Sequence, residues 1–202
     1  MIRVYGIAAS RALRVLWMLE ELDVAYEHVK TNFATGDTRS AEFLKLNPNG
    51  HIPVLVDGAT VLWESMAINL YLARRYGAGT LWPAAIEDEG RLFQWSFWGM
   101  TELEPALLPI LMHRRILPAA QRDAAIAANA EAKLAAPLTV LEGALRDRPC
   151  LLGNAFTAAD LNVSVVLAWA VLVGLDLQRW PQTAAWLQRY LDRPAFKTAR
   201  ST

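Results

Sequence analysis

Three short groups of residues in the first third of the chain carry side chains that could act on a small molecule. Glu64-Ser65 stands where a strand gives way to a helix. The first amides of a helix have no partner within it, and the helix dipole favours an anion there. A serine hydroxyl beside those amides makes a carboxylate site, and the Glu64 carboxylate could receive an ammonium group of the same ligand. Together they suit an α-amino acid head group. The plainer reading is a helix cap with an acidic first turn.

Gly50-His51-Ile52-Pro53 puts a proline at the start of a strand, where its missing N–H confines it to an edge. With a cis Ile52–Pro53 bond, the N–H and C=O of Ile52 would face outward, and an extended peptide could pair with them. An ordinary edge proline is the alternative. Ser10, between the first strand and the first helix, could donate a hydrogen bond to a thiolate held at the helix N-terminus, or simply cap that helix. A free thiol is only a few per cent ionised near neutrality. Lowering its pKa by about two units takes roughly 2.7 kcal/mol of selective thiolate stabilisation.

The elements that must position these groups are readable from periodicity. Ile2 to Tyr5 reads as a strand, Ala12 to Glu21 as a helix with Leu13, Val15, Leu16, Leu19 and Leu22 at helical spacing, and Tyr26 to Lys30 as a second strand. A strand–helix–strand unit implies a parallel pair. A polar loop, a short helix at about Ala41 to Leu46 and the turn Asn47-Pro48-Asn49-Gly50 follow. Pro53 to Val56 and Thr60 to Trp63, joined by Asp57-Gly58, form a predicted hairpin. Glu64 to Tyr76 is a helix stopped by Gly77 and Gly79.

The order is β-α-β-α-β-β-α, an α/β fold of thioredoxin type over residues 1–78. After a linker at about Gly77 to Ala85, strand signals disappear, and 86–202 reads as an all-α helical bundle. Its predicted helices are Glu87 to Pro109, Ala119 to Glu142, Thr157 to Val173, Pro181 to Leu191 and Pro194 to Ala199.

Composition narrows the function classes. Twenty basic residues balance twenty acidic ones, so there is no electrostatic footprint for nucleic acid or an anionic membrane. One cysteine, Cys150, allows neither an internal disulfide nor a multi-thiolate metal site, and it suits a reducing, cytoplasmic compartment. His28, His51 and His113 are scattered, so no metal is expected. The apolar run Val163 to Leu175 is too short for a bilayer span, and no signal peptide is expected at the N-terminus.

The three groups fall at one rim of the predicted sheet: after strand one, before strand three and at the start of helix three. A γ-glutamyl tripeptide thiol needs a head-group site, an edge to pair with and a thiolate stabiliser, in that arrangement. The motifs carry a resemblance. Ser10-Arg11-Ala12-Leu13-Arg14-Val15-Leu16-Trp17 resembles the first helix of the cytosolic glutathione S-transferase family, bacterial type, in the branch where a serine opens that helix. Asn47-Pro48-Asn49-Gly50-His51-Ile52-Pro53-Val54-Leu55 resembles the family's cis-proline segment. Glu64-Ser65-Met66-Ala67-Ile68 with Tyr71-Leu72 resembles its glutathione-binding signature. Phe156-Thr157-Ala158-Ala159-Asp160 resembles the capping box of its central helix, and Arg193-Pro194-Ala195-Phe196 its terminal motif.

The resemblance implies a transferase that conjugates the glutathione thiolate to small, mostly apolar electrophiles, with glutathione as co-substrate and a homodimer as the assembly. It implies that Glu64 and Ser65 bind the γ-glutamyl group, that Ile52 pairs with the cysteinyl unit, that Pro53 is cis, and that His51 stands near the glycyl carboxylate in place of lysine or glutamine. Ser10 is the implied thiol activator; a register one residue earlier puts Ala9 there and leaves the task to backbone amides. Trp98, Glu102 and His113, with Trp95 and Met100, are candidates for the electrophile pocket. Thr157 and Asp160 are implied to be structural. Two alternatives stay open: glutathione-dependent disulfide or peroxide reduction, and a non-catalytic glutathione-binding relative.

Overall fold

A computed structural model describes all of residues 1–202. It divides into two compact units, Met1–Ala84 with Asp192–Thr202, and Ala85–Leu191.

The first unit is built on a four-stranded sheet in the order β2-β1-β3-β4, from β1 (Ile2–Gly6), β2 (Tyr26–Lys30), β3 (Val54–Asp57) and β4 (Thr60–Trp63). β1 pairs parallel with β2, while β3 runs antiparallel to both β1 and β4. The parallel half follows from the crossover helix α1 (Ala12–Glu21), and the antiparallel half from the Asp57-Gly58 turn, where Gly58 has the positive φ that such a turn demands. Helices α2 (Ala41–Leu46) and α3 (Ser65–Tyr76) complete the thioredoxin-like order. Val15, Leu16, Trp17, Met18 and Leu19 of α1, Val54 and Leu55 of β3, and Ile68 and Leu72 of α3 make the core.

The β3–β4 turn is tied to the far end of α3. Tyr71 and Tyr76 donate their hydroxyls to Asp57 Oδ2 at 2.9 and 2.7 Å, and Arg75 lies 3.2 Å from the same oxygen. Burial alone would raise the Asp57 carboxyl, but the hydrogen bonds from Tyr76 and Tyr71 and the charge of Arg75 hold it below its ordinary value of 3.8.

The last helix departs from the expected domain division, which put 86–202 in one bundle. α9 (Pro194–Ser201) belongs to the first unit and packs on α1. Phe196 meets fully buried Trp17 edge to face, ring centres 4.9 Å apart. Arg193 closes a two-pronged bridge to Glu21, Nε to Oε1 at 2.5 Å and Nη2 to Oε2 at 2.7 Å, while Trp17 Nε1 donates to the same Oε1. The apolar face of α9 therefore serves the sheet unit. Phe196→Ala should cost about 3 kcal/mol, as aromatic truncations in cores do, and a denaturant melt followed by tryptophan fluorescence reads it. A loss under about 1 kcal/mol would mean that α9 is only loosely attached.

The second unit contains α4 (Ile86–Trp98), α5 (Glu104–Leu111), α6 (Ala124–Ala144), α7 (Ala158–Leu172) and α8 (Pro181–Leu191). The single helix expected over Glu87 to Pro109 is interrupted by a π-helical turn at Gly99–Leu103, and a second one, Met112–Ile116, ends the run. α7 is mostly apolar and buried on every side from Ala158 to Leu167, so it is the centre of this unit. Its start is the capping box expected at Thr157 and Asp160. Asp160 Oδ2 accepts from Thr157 N and Oγ1, and Oδ1 accepts from Leu151 N and Trp186 Nε1. Cys150 is buried with its sulfur 3.1 Å from the Tyr190 hydroxyl. No helix is long and apolar enough to cross a membrane.

Candidate functional site

The register of the sheet gathers the chemistry-bearing residues of the first unit at one rim. Tyr5 pairs with Val54, so Gly6 and Ile7 emerge beside Pro53; Val54 pairs with Trp63, so Glu64 emerges on the other side of Pro53. Gly6 marks how close the approach is. A Cβ there would stand 2.5 Å from that of Ala12 and 3.5 Å from that of Ile52, so only glycine lets β1, α1 and the proline segment converge.

The Ile52–Pro53 bond is cis. Ile52 lies outside the β1–β3 ladder, and no turn hydrogen bond uses its N–H or carbonyl. Buried Asn47 braces the preceding loop: its Nδ2 donates to His51 O at 2.7 Å, its Oδ1 accepts from Asn49 N, and its carbonyl accepts from Gly50 N. The effect is a rigid outward edge that an extended peptide could pair with. His51 is exposed at this edge. A cation missed in the sequence because it sits in a polar loop stands beside the neighbouring Gly50. The Arg39 guanidinium lies over Gly50, where an added Cβ would be 2.6 Å from Nη1.

Glu64 is the residue before α3 rather than its first member, and it has φ 71° and ψ 111°. Few residues other than glycine adopt that backbone, and such positions cluster at ligand sites. Its exposed carboxylate makes no capping bond with the helix. The first intrahelical bond is Ile68 N to Glu64 O, which leaves the amides of Ser65, Met66 and Ala67 without helical acceptors. Ser65 is nearly buried, and its hydroxyl accepts from Nη1 of Arg14 at 3.2 Å. An anion placed here would meet amides, a hydroxyl and the positive end of α3, with a carboxylate close by for a cationic group.

Ser10 is part-buried and engaged locally. Its Oγ donates to Ile7 O at 2.7 Å and accepts from Ala12 N at 3.0 Å. The hydroxyl thus satisfies one amide of α1, and its proton rests on a carbonyl at the rim. Ala9 beside it is exposed.

The remaining three candidates are in the second unit. Trp98 stacks edge to face on Trp95 at 5.1 Å, immediately before the first π-helical turn, and exposed Glu102 lies within that turn. His113 Nδ1 accepts from Asp123 N at 3.0 Å, which makes it a brace for the start of α6. No hydrogen bond or ring contact joins the three to one another. No cluster of three or more His, Cys, Asp or Glu could hold a metal ion.

Comparison with known proteins gives the family. The profile of the glutathione S-transferase N-terminal domain matches residues 1–74, and that of the C-terminal domain matches 100–194. The chain belongs to the glutathione S-transferase family. It is 32% identical to glutathione S-transferase GstB of Escherichia coli strain K12 over 192 residues, 94% of this chain and 92% of that protein. It is 33% identical to glutathione S-transferase 3 of Zea mays over 204 residues, 97% and 91% of the two chains. The theta class enzyme of the citrus canker pathogen Xanthomonas axonopodis pv. citri, solved with glutathione bound, superposes with a TM-score of 0.91 at 32% identity, covering 100% of this chain and 97% of that one. A glutathione S-transferase-I structure holding lactoylglutathione gives the same score at 30% identity, covering 99% and 98%.

Proposed function

We propose that this family member binds glutathione along the rim from Glu64 to Arg39 and transfers its thiol to small, mostly apolar electrophiles. The observation that carries the reading is the α3 terminus. Unused amides, the Ser65 hydroxyl and the Glu64 carboxylate on a backbone that only a ligand site would reward suit the γ-glutamyl head group. Ile52, with its free N–H and carbonyl beside cis Pro53, takes the cysteinyl unit as an added strand. Arg39 supplies a counter-charge for the glycyl carboxylate, and His51 lies on the same edge.

In the serine branch of the family, Ser10 activates the thiol. To do so its proton must leave the Ile7 carbonyl for the sulfur, while the bond from Ala12 N holds the oxygen in place. A charge-assisted bond of that kind is worth about 1.5–3 kcal/mol. Ser10→Ala is therefore expected to keep glutathione affinity and to lower turnover of an aryl halide by about ten- to a hundredfold. Turnover equal to wild type would move thiol activation to the backbone amides around Ala9.

For the electrophile, we assign the surface at half-buried Trp98, backed by buried Trp95, with exposed Glu102 in the π-helical turn that follows. The chain works in the cytoplasm as a homodimer. Exposed Phe93 and Phe97, one turn apart on α4, and Val61 and Trp63 on β4 are apolar surfaces available for self-association.

A further inference from the structure

We infer that Arg14 is a positioning residue that forces the Ser65 hydroxyl to act as a donor toward the bound carboxylate. The inference rests on the glutathione reading above and deepens it.

Arg14 lies in α1 with only 1% of its surface exposed, among Val15, Leu16 and Trp17. A buried guanidinium is expensive unless hydrogen bonds and charges around it compensate. What the guanidinium does there is specific. Nη1 donates to Ser65 Oγ at 3.2 Å, and one turn along α3, Asn69 Nδ2 donates to the Arg14 carbonyl at 3.2 Å, fixing the two helices against each other at this level.

A guanidinium has five donors and no acceptor, and a serine hydroxyl has one proton and two lone pairs. The proton of Ser65 therefore cannot be spent on Arg14. With a lone pair occupied by Arg14, the proton of Ser65 stays available to an anion at the α3 terminus, where the amides of Ser65, Met66 and Ala67 have no helical acceptor. The same bond polarises the hydroxyl and makes it a stronger donor, and it places a buried positive charge one atom behind the carboxylate site. Arg14 touches no ligand in this arrangement. It acts through Ser65.

The test is a double-mutant cycle on glutathione affinity, read by calorimetry for wild type, Arg14→Met, Ser65→Ala and the double variant. Two ligands are used: glutathione, and its analogue with the γ-glutamyl α-carboxylate converted to the carboxamide. Arg14→Met should weaken glutathione binding about tenfold, a charge-assisted hydrogen bond's worth, and change binding of the carboxamide little. The double variant should bind no worse than Ser65→Ala alone. Arg14→Gln, which keeps an N–H donor without the charge, should recover part of the affinity, and it carries the test if Arg14→Met does not fold. Unchanged affinity in both Arg14 variants, losses that add to those of Ser65→Ala, or equal losses on the two ligands would overturn the assignment. If wild type binds no glutathione, the reading on which the inference rests falls with it; if Ser65→Ala alone loses affinity, only the role of Arg14 falls.

Discussion

Asp160→Ala should destabilise the helical unit by about 4 kcal/mol, and Asp160→Asn by nearly as much. The carboxylate is fully buried, and its two oxygens divide the work. Oδ2 caps α7 through Thr157 N and Oγ1, at 3.1 and 3.2 Å. Oδ1 accepts from Leu151 N at 2.8 Å and from the indole of buried Trp186 at 3.1 Å, drawing the preceding loop and α8 onto the start of the same helix. Alanine leaves four donors with no acceptor in a dry interior, each at about 1–3 kcal/mol before relaxation. Asparagine keeps the shape but turns an NH2 toward one of the two donor pairs, whichever way it faces. A chemical melt monitored by tryptophan fluorescence measures both. Loss below about 1 kcal/mol for asparagine would show that one oxygen suffices and that the network is not the organiser of this unit.

The second large effect concerns Glu64, where stability and binding should move in opposite directions. Its backbone lies at φ 71°, ψ 111°, a region that costs a residue with a Cβ about 1–3 kcal/mol. Glu64→Gly removes that strain, partly offset by the greater freedom of glycine in the unfolded chain, for a net gain near 1 kcal/mol. Glu64→Ala keeps the strain and should leave stability nearly unchanged, since the side chain is exposed. Both variants remove the acceptor for the ammonium group, and glutathione affinity should fall by about ten- to a hundredfold in each. Paired melting and calorimetry separate the two effects. Glycine and alanine variants of equal stability would mean the backbone at 64 is not strained, and wild-type affinity in both would take Glu64 out of the site.

Much of this was legible in the chain because the local signals agree with the global fold. Asp57-Gly58 specifies its hairpin, Asn47 to Gly50 its turn, and the apolar spacing of α1 its buried face, so the order of elements along the chain could be read from residue types, whereas the pairing of β1 with β3 could not. The capping box at Thr157 and Asp160 was equally plain, since its chemistry is contained in four consecutive residues. What could not be read depends on long-range packing. Arg14 looks like one more charge on a helix, and nothing in its neighbours says that it is buried against Ser65. The period of 3.6 runs through Phe97-Trp98-Gly99-Met100 without a sign of the π-helical turn. Likewise, the amphipathic face of α9 states that it must pack but not on which core, and only the contact of Phe196 with Trp17 places it on the sheet unit. Alanine-rich 119–127 favours a helix throughout, yet Asp123 caps Ala125 and Ile126 and starts α6 at Ala124.

The most direct measurement is a calorimetric titration of the purified protein with glutathione, with conjugation of an aryl halide followed in the same preparation. The expected result is saturable binding at one glutathione per chain, weakened in Glu64→Ala, with turnover that requires glutathione. No binding at millimolar glutathione would contradict the account at its root, because the rim from Glu64 to Arg39 would then serve some other ligand.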